Sequence, residues 1–212
     1  MSESSAARST AHSAVPSRVP STGERLILAS ASPRRSGLLA ELGLAFEIAP
    51  PDIDESVLPG ESGPAYVERL ARGKAAVMAE PGAVVVAADT TVDLDGELLG
   101  KPDDAEHAKR LIRAIAGTTH HVHTGVCVHR ITAGGEVTIR SAVATTAVTI
   151  APIAEDWIEW YVGTGEPLDK AGAYGMQGPG AMFVAGIAGS PSNVVGLPLD
   201  LLARLTTAAG VD

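Results

Sequence analysis

A short apolar run over residues 83–88 constrains the fold of this chain more than any other segment. The run reads AVVVAA, it is rich in β-branched residues, and no polar residue interrupts it. Such a run is typical of a central strand that is buried on both faces. Asp89 follows the run, and a carboxylate at a buried strand end is costly unless it binds a cation, a metal or a reacting water.

The segments around this run predict an α/β fold. A strand over residues 25–29 leads into a helix that Ser32 and Pro33 begin and Gly43 ends. From His120 the sequence alternates as in a long antiparallel hairpin. Further predicted elements are strands over residues 46–50 and 181–187, helices over residues 64–80 and 154–162, a hairpin turn at Asp95-Gly96, a helix from an Asp103–Glu106 capping box to Gly117, and a C-terminal helix from Pro198. This order predicts a mixed, strongly twisted sheet.

The composition excludes several classes of protein. The chain has 212 residues, of which 45% are hydrophobic and 3% aromatic, which is enough for one large domain with an aliphatic core. Its formal net charge is −9. Without a basic excess to neutralise phosphates, we expect no nucleic-acid partner. No apolar run approaches the length that spans a bilayer, so we expect no membrane partner either.

Cysteine usage and the N-terminal segment bear on location. Cys127 is the only cysteine, which excludes an internal disulfide and fits a reducing compartment. Residues 1–22 are rich in Ser, Ala and Pro and lack the continuous apolar stretch of a signal peptide. We therefore predict a disordered extension over residues 1–22, one domain over residues 23–212, and a cytoplasmic location.

Two serines and two arginines follow the first predicted strand in the stretch SASPRR. A helix N-terminus favours an anion, whereas the cations of Arg34 and Arg35 oppose the helix dipole there. A bound polyphosphate would offset that cost, because arginine supplies planar, paired donors for phosphate oxygens. The stretch therefore predicts phosphate binding by Ser30, Ser32, Arg34 and Arg35. The simpler alternative is that the arginines pair with nearby carboxylates such as Glu41 or Asp52.

Asp89 belongs to a set of charged residues that would make one site if they converge. An acidic loop contributes Glu55, and the stretches RGK and LGK contribute Lys74 and Lys101. Two carboxylates among several cations form a metal-assisted phosphoryl-transfer site. The simpler alternative is that Glu55 and each lysine are solvated side chains and that Asp89 caps a turn.

Two further stretches carry polar or aromatic side chains. His121 and His123 share one face of a predicted strand, but no other histidine lies at a standard ligand spacing. Solvated histidines are therefore expected rather than a metal site. In the glycine-rich stretch GAYGMQG, Tyr174 is suited to pack against a flat ring and Gln177 to match the imide edge of a pyrimidine. The simpler interpretation is a glycine-rich turn.

Together these segments resemble the Maf family, the septum-formation-type nucleoside triphosphate pyrophosphatases. The matching stretches run in family order from about residue 25 to residue 200: LASASPRRSGLL, DIDES, YVERLARGKA, AADTTV, GELLGKPDDAEHA, HHVHTGV, PLDKAGAYGMQG and GSPSNVVGLPL. The resemblance implies an α/β architecture of two lobes around a cleft, similar to inosine triphosphate pyrophosphatases. It also implies a homodimer.

The resemblance implies hydrolysis of nucleoside triphosphates between the α- and β-phosphates, assisted by Mg²⁺ or Mn²⁺. Asp89 falls on the proposed base for the attacking water. Glu55, Lys74 and Lys101 fall on the other catalytic positions, and Asp89 and Glu55 are the implied metal ligands.

The resemblance also bears on the substrate. Arg34, Thr90 and Gln177 match the subgroup of dTTP/UTP pyrophosphatases, which favours these pyrimidine nucleotides over 7-methyl-GTP. Two alternatives stay open at this point. One is a clean-up enzyme for modified or deaminated nucleotides, and the other is a nucleotide-sensing regulator of septation that binds without turnover.

Overall fold

The computed structural model describes residues 23–211, which form one seven-stranded sheet with helices packed against it. The strands are β1 (Arg25–Leu28), β2 (Glu47–Ile48), β3 (Ala83–Leu94), β4 (Glu97–Leu99), β5 (Thr119–Ile131), β6 (Val137–Ile150) and β7 (Val184–Ala188). The α-helices are α1 (Pro33–Glu41), α2 (Gly63–Val77), α3 (Ala105–Ile115), α4 (Glu155–Gly163), α5 (Pro191–Val195) and α6 (Leu199–Ala208). The predicted extension over residues 1–22 lies outside the described residues. Within residues 23–211, no helix has the length and apolar character needed to cross a membrane.

The sheet mixes parallel and antiparallel pairs. Its order is β2–β1–β3–β5–β6–β7, with β4 paired to the end of β3. β1 runs parallel to both β2 and β3, and the other pairs are antiparallel. β5 and β6 form the long hairpin that the alternation after His120 predicts. The predicted mixed α/β class is therefore confirmed.

Strand β3 is much longer than the apolar run that predicts it, because the polar residues after the run continue the strand. The edge of β3 that faces β1 changes partner along its length. β1 pairs with it up to Val86, and β4 pairs with it from Val92 onward. Between these two points, residues 87–91 pair only with β5. The free edge leaves space for a cleft beside Asp89.

Buried apolar side chains form separate clusters at the two ends of β3. At the first end, Val84 and Val86 pack with α1 and α6 on one face of the sheet. Val85 and Ala87 pack against α2 on the opposite face. At the far end, Val92 packs with residues of α3 and α4. These two ends are the two lobes, and the free edge of β3 lies between them.

Some predicted boundaries are wrong. α3 is capped by Asp104, which accepts a hydrogen bond from the His107 amide at 2.7 Å, and not by the predicted Asp103–Glu106 box. The predicted strand over residues 181–187 starts within a 3₁₀ helix, Pro179–Phe183, and becomes β7 only afterwards. Two other 3₁₀ helices, Glu166–Asp169 and Ala171–Ala173, follow α4.

Candidate active site

A cleft of about 560 Å³ opens along the free edge of β3. All ten residues that the sequence predicts as catalytic or substrate-binding line it. They come from the segment after β1, from α1, α2 and β3, and from three loops: Ser30, Ser32, Arg34, Arg35, Glu55, Lys74, Asp89, Thr90, Lys101 and Gln177. The convergence that the hypothesis requires is therefore present in the fold.

Lys74 joins the two carboxylates at the floor of the cleft. Its Nζ lies 2.6 Å from Asp89 Oδ1 and 2.6 Å from Glu55 Oε1. α2 carries the lysine, β3 carries Asp89, and the acidic loop carries Glu55, so three segments meet here. Lys74 and Asp89 are each 7% exposed, whereas the Glu55 side chain is 53% exposed. Because a buried charge is costly without a partner, this ion pair allows Asp89 to lie at the floor.

The carboxylates of Asp89 and Glu55 are oxygen donors of the kind that a divalent cation prefers. Mg²⁺ is usually held by one or two carboxylates together with substrate phosphates and water. Within residues 23–211, no group of three or more His, Cys, Asp or Glu side chains is arranged to hold a metal by itself. The donor set therefore fits a cation that arrives with a phosphorylated ligand.

Arg35 points into the protein and organises one wall of the cleft. Its guanidinium donates to Ser30 Oγ at 3.1 Å, to Thr90 Oγ1 at 3.0 Å and to the Gly196 carbonyl at 2.8 Å. Burial lowers the pKa of Arg35, while the neighbouring charge of Asp89 acts in the opposite direction. The three bonds fix the position of Ser30 and Thr90 in the wall.

Thr90 belongs to a network of hydrogen bonds that extends from Arg35 to α5. Its Oγ1 lies 2.9 Å from Thr124 Oγ1, and Thr124 donates to the Asn193 carbonyl at 3.0 Å. Since Thr124 has only one hydroxyl proton, Thr90 is the donor in the contact between them. The fully buried Asn193 side chain donates to Thr146 Oγ1 at 2.8 Å. Sequence reasoning missed Thr124 and Asn193, although both lie in the stretches HHVHTGV and GSPSNVVGLPL.

Arg34 extends across the cleft to the first 3₁₀ helix after α4. Its Nη1 donates to Asp169 Oδ2 at 2.8 Å, and Lys170 donates to the other oxygen of that carboxylate at 2.6 Å. Burial alone raises the pKa of Asp169, but hydrogen bonds from Lys170 and Arg34 lower it overall. Pairing of the arginines with Glu41 or Asp52, the simpler sequence alternative, is not observed in the described chain.

Tyr66 supports the acidic loop from α2. Its hydroxyl donates to the Glu55 carbonyl at 3.0 Å. Burial, with the charges of Asp89 and Glu55, raises the pKa of Tyr66 to about 12. The phenol is therefore a neutral donor at physiological pH, and it fixes the backbone that carries Glu55.

Lys101 and Gln177 lie at the open side of the cleft. Both are exposed, and neither side chain forms a hydrogen bond with residues 23–211, so both are free to contact a ligand. Tyr174 forms a buried part of the wall, and its hydroxyl lies 2.8 Å from His120 Nε2. Burial raises the pKa of Tyr174, which keeps the ring neutral.

The histidines of the stretch HHVH are less exposed than predicted. His121 is exposed, but His120 and His123 are buried. His123 Nδ1 lies 2.8 Å from Thr145 Oγ1, and its Nε2 lies 3.5 Å from Asp93 Oδ2. The expectation of solvated histidines, which concerns His121 and His123, is wrong for His123 because the N-terminus of α2 covers it. His120 lies against Tyr174 of the glycine-rich stretch.

Comparison with known proteins assigns the chain to a family. The family model described as Maf-like protein matches residues 25–209. The chain belongs to the Maf family. A Maf relative from Anaeromyxobacter sp. (strain Fw109-5), named dTTP/UTP pyrophosphatase, is 56% identical over 186 residues, which cover 88% of this chain and 90% of that protein. A relative of the same name from Myxococcus xanthus (strain DK1622) is 51% identical over 188 residues, covering 88% and 93%.

Solved structures give weaker matches to this Maf chain. A HAM1 protein from Coxiella burnetii aligns with a TM-score of 0.42 and 17% identity over 61% of this chain and 74% of that one. A dITP/XTP pyrophosphatase from Mycobacterium abscessus aligns with a TM-score of 0.37 and 16% identity over 88% and 96%. Overlap at this level says nothing about activity.

Proposed function

We propose that this protein hydrolyses dTTP and UTP between the α- and β-phosphates, which yields the nucleoside monophosphate and pyrophosphate. Membership of the Maf family and the shared name of its relatives support this class of reaction. The observation that carries the proposal is the buried Lys74–Asp89 pair, with Glu55 on the same ammonium, in a cleft lined by further cations.

Asp89 is the proposed general base. Lys74 binds Oδ1 of its carboxylate, so Oδ2 is the oxygen left to accept a proton from water. The water oxygen forms a bond to the α-phosphorus as the bond to the bridging α–β oxygen breaks. The proton goes to Asp89 and pyrophosphate leaves. Lys74 orients the carboxylate for this transfer, and a positioned base of this kind contributes roughly 100-fold to 10,000-fold in rate.

The other residues are proposed to bind and orient the nucleotide. Lys101 and Arg34 supply cations for phosphate oxygens, while Arg35 holds the wall that carries Ser30 and Thr90. Gln177, with a free side-chain amide, is proposed to match the donor and acceptor of a pyrimidine imide edge.

Asp89 and Glu55 are proposed to hold Mg²⁺ or Mn²⁺ together with the substrate phosphates. When bound, such an ion offsets the negative charge of the phosphates and of the leaving pyrophosphate.

The test measures the products of each canonical nucleoside triphosphate, and of a deaminated purine nucleotide such as dITP, with Mg²⁺, with Mn²⁺ and with EDTA. We expect pyrophosphate from dTTP and UTP with a divalent cation and none with EDTA. Orthophosphate release, or no release from any nucleotide, would contradict the proposal. A preference for deaminated purine nucleotides would support the clean-up alternative, and tight binding without turnover would support the sensing regulator.

Asp89→Asn tests the role of the base. We expect kcat for dTTP to fall by at least about 100-fold, because the amide cannot take the proton. The control is Asp95→Asn at the exposed β3–β4 turn, where φ is 53° and asparagine is readily accepted. Full activity of Asp89→Asn would remove the base assignment and leave the reaction class intact.

A further inference from the structure

Asp169 holds together two cations from opposite sides of the cleft. One carboxylate oxygen accepts from Arg34 on α1, and the other accepts from Lys170 on the far lobe. The Arg34 and Lys170 side chains are 28% and 12% exposed, whereas Asp169 is 60% exposed. The two cations are therefore more buried than the carboxylate, which binds both of them from the solvent side.

A further hydrogen bond and close packing hold Lys170 in this position. Its ammonium also donates to the Glu166 carbonyl at 2.7 Å. Its stem lies against Gly175, where an added Cβ would be 2.6 Å from Lys170 Cε and 2.9 Å from Glu166 Oε1. The glycine of the AYG stretch thus makes room for a lysine that sequence reasoning did not single out.

The charges of the cleft suit a nucleoside triphosphate with one divalent ion. Five cationic side chains line it, and three carboxylates do: Arg34, Arg35, Lys74, Lys101 and Lys170 against Glu55, Asp89 and Asp169. The protein therefore contributes a net charge of two positive, and a divalent cation brings the site close to the charge that neutralises a triphosphate. Asp169 lowers the positive charge of the cleft by one, so its position beside two cations that face a phosphate ligand needs an explanation.

Hydrogen-bond capacity points to that reason. A guanidinium has five N–H donors and an ammonium has three. In the described chain, Arg34 uses one N–H donor in its hydrogen bond to Asp169. Lys170 uses two, in hydrogen bonds to Asp169 and Glu166. Both cations keep free donors while Asp169 stays bound. The carboxylate can therefore orient them toward a ligand without being displaced by it.

We propose that Asp169 is a positioning residue for nucleotide binding, which acts by holding Arg34 and Lys170 as a preformed pair of cations at the cleft. The identity of the ligand as a nucleoside triphosphate rests on the proposed function. Preorganised donors lose less conformational freedom on binding, so the contribution of Asp169 is to affinity and not to the chemical step.

The test is Asp169→Asn, which keeps the shape of the side chain but loses its charge and one acceptor. We expect KM for dTTP to rise about fivefold, in line with an exposed ion pair worth up to about 1 kcal/mol, with kcat changed less than about twofold. In an Arg34→Gln background, which lacks one of the two cationic partners of Asp169, the same substitution should change KM less. That coupling is a readout that general loosening of the structure would not produce.

The matched control is Asp200→Asn on α6. Asp200 also pairs with an arginine, Arg204, at 3.1 Å and is similarly exposed at 58%, but it lies outside the cleft. We expect no change in KM from it. An unchanged KM in Asp169→Asn, or an equal effect with and without Arg34, would overturn the proposal. A lower KM would also overturn it, because Asp169 would then compete with phosphate.

A binding measurement separates this inference from the proposed function. The probe is α,β-methylene-dTTP, which cannot be cleaved between these phosphates, and Kd is measured by calorimetry for the wild type and for Asp169→Asn. A Kd about fivefold weaker in the variant supports the positioning role even if no triphosphate is hydrolysed. An equal Kd overturns it even if dTTP is hydrolysed. Failure of the wild type to bind the probe overturns the inference, whereas pyrophosphate release from dTTP decides the proposed function separately.

Discussion

His120 lies behind the cleft wall with its two ring nitrogens in different situations. Nε2 lies 2.8 Å from the Tyr174 hydroxyl, whereas Nδ1 is buried without a hydrogen-bond partner among the described residues. Burial, and to a lesser degree the neighbouring His121, lowers the pKa of His120 to about 4. The ring is therefore neutral in the folded protein at physiological pH, and it supports Tyr174 without adding a charge to the cleft.

This depressed pKa predicts a pH-dependent stability. In the unfolded chain His120 binds a proton below about pH 6.5, but in the folded chain it does so only near pH 4. Folding stability is therefore present above pH 6.5 and is lost as the pH falls toward 4. We expect the free energy of unfolding, from urea titrations, to fall by about 2 kcal/mol more between pH 7 and pH 5 in the wild type than in His120→Asn. His121→Asn is the control, and it should keep most of the wild-type slope because His121 makes only the smaller contribution to the lowered pKa of His120. Equal slopes in the wild type and His120→Asn would contradict the burial effect.

The sequence alone identifies those cleft residues whose charge is unexpected at their position. Asp89 follows a buried strand, and Arg34 and Arg35 oppose a helix dipole, so each raises a question on its own. Asp169 does not, because an aspartate beside a lysine in a turn is ordinary. Its role depends on contact with Arg34, which is 135 positions away in the chain. Contacts of that range depend on the packing of the lobes and have no local signal.

Among the elements, α2 and β5 set the geometry at the floor of the cleft. Gly125 on β5 is the cross-strand partner of Asp89. A Cβ built on Gly125 would lie 2.5 Å from the Val67 carbonyl carbon and 2.7 Å from the Glu68 amide, both in the backbone of α2. The glycine therefore lets α2 approach the sheet closely, and this approach brings Lys74 within 2.6 Å of Asp89.

Gly125→Ala should disturb stability and activity together. The added methyl group would push α2 away from the sheet, which costs about 1–3 kcal/mol as overpacking and lengthens the Lys74–Asp89 contact. We expect a lower denaturation midpoint and a lower kcat for dTTP. Gly186→Ala on β7, where no atom lies within 4 Å of the built Cβ, is the control and should leave kcat unchanged. A stable, fully active Gly125→Ala would show that the close approach is not needed.

Elements with a strong periodic pattern were predicted well, and those set by partners were not. The β5–β6 hairpin and α2 follow from alternation and helical spacing. The extension of β3 through Asp89 and Thr90 does not, because those polar residues are held in the strand by pairing with β5. The sequence does not predict α5, because this five-residue helix is held in place by tertiary contacts. The buried side chain of Asn193 donates hydrogen bonds to residues of β5 and β6.

The whole molecule has two lobes that meet at one free strand edge. Ion pairs and hydrogen bonds from both lobes converge there, so the cleft is a product of the sheet topology and not of any single motif. The homodimer, the cytoplasmic location and the domain limits at residues 23–212 stay predictions, and sedimentation velocity of the purified chain is the direct measurement of the first.

The central claim is that water attacks the α-phosphorus of a pyrimidine triphosphate in this cleft. Attack at the β-phosphorus would give the same two products, so product analysis alone does not decide between them. Hydrolysis of dTTP in ¹⁸O-labelled water, followed by mass spectrometry of both products, does. We expect the label in dTMP and unlabelled pyrophosphate. Label in pyrophosphate, or the appearance of labelled orthophosphate, would contradict the claim.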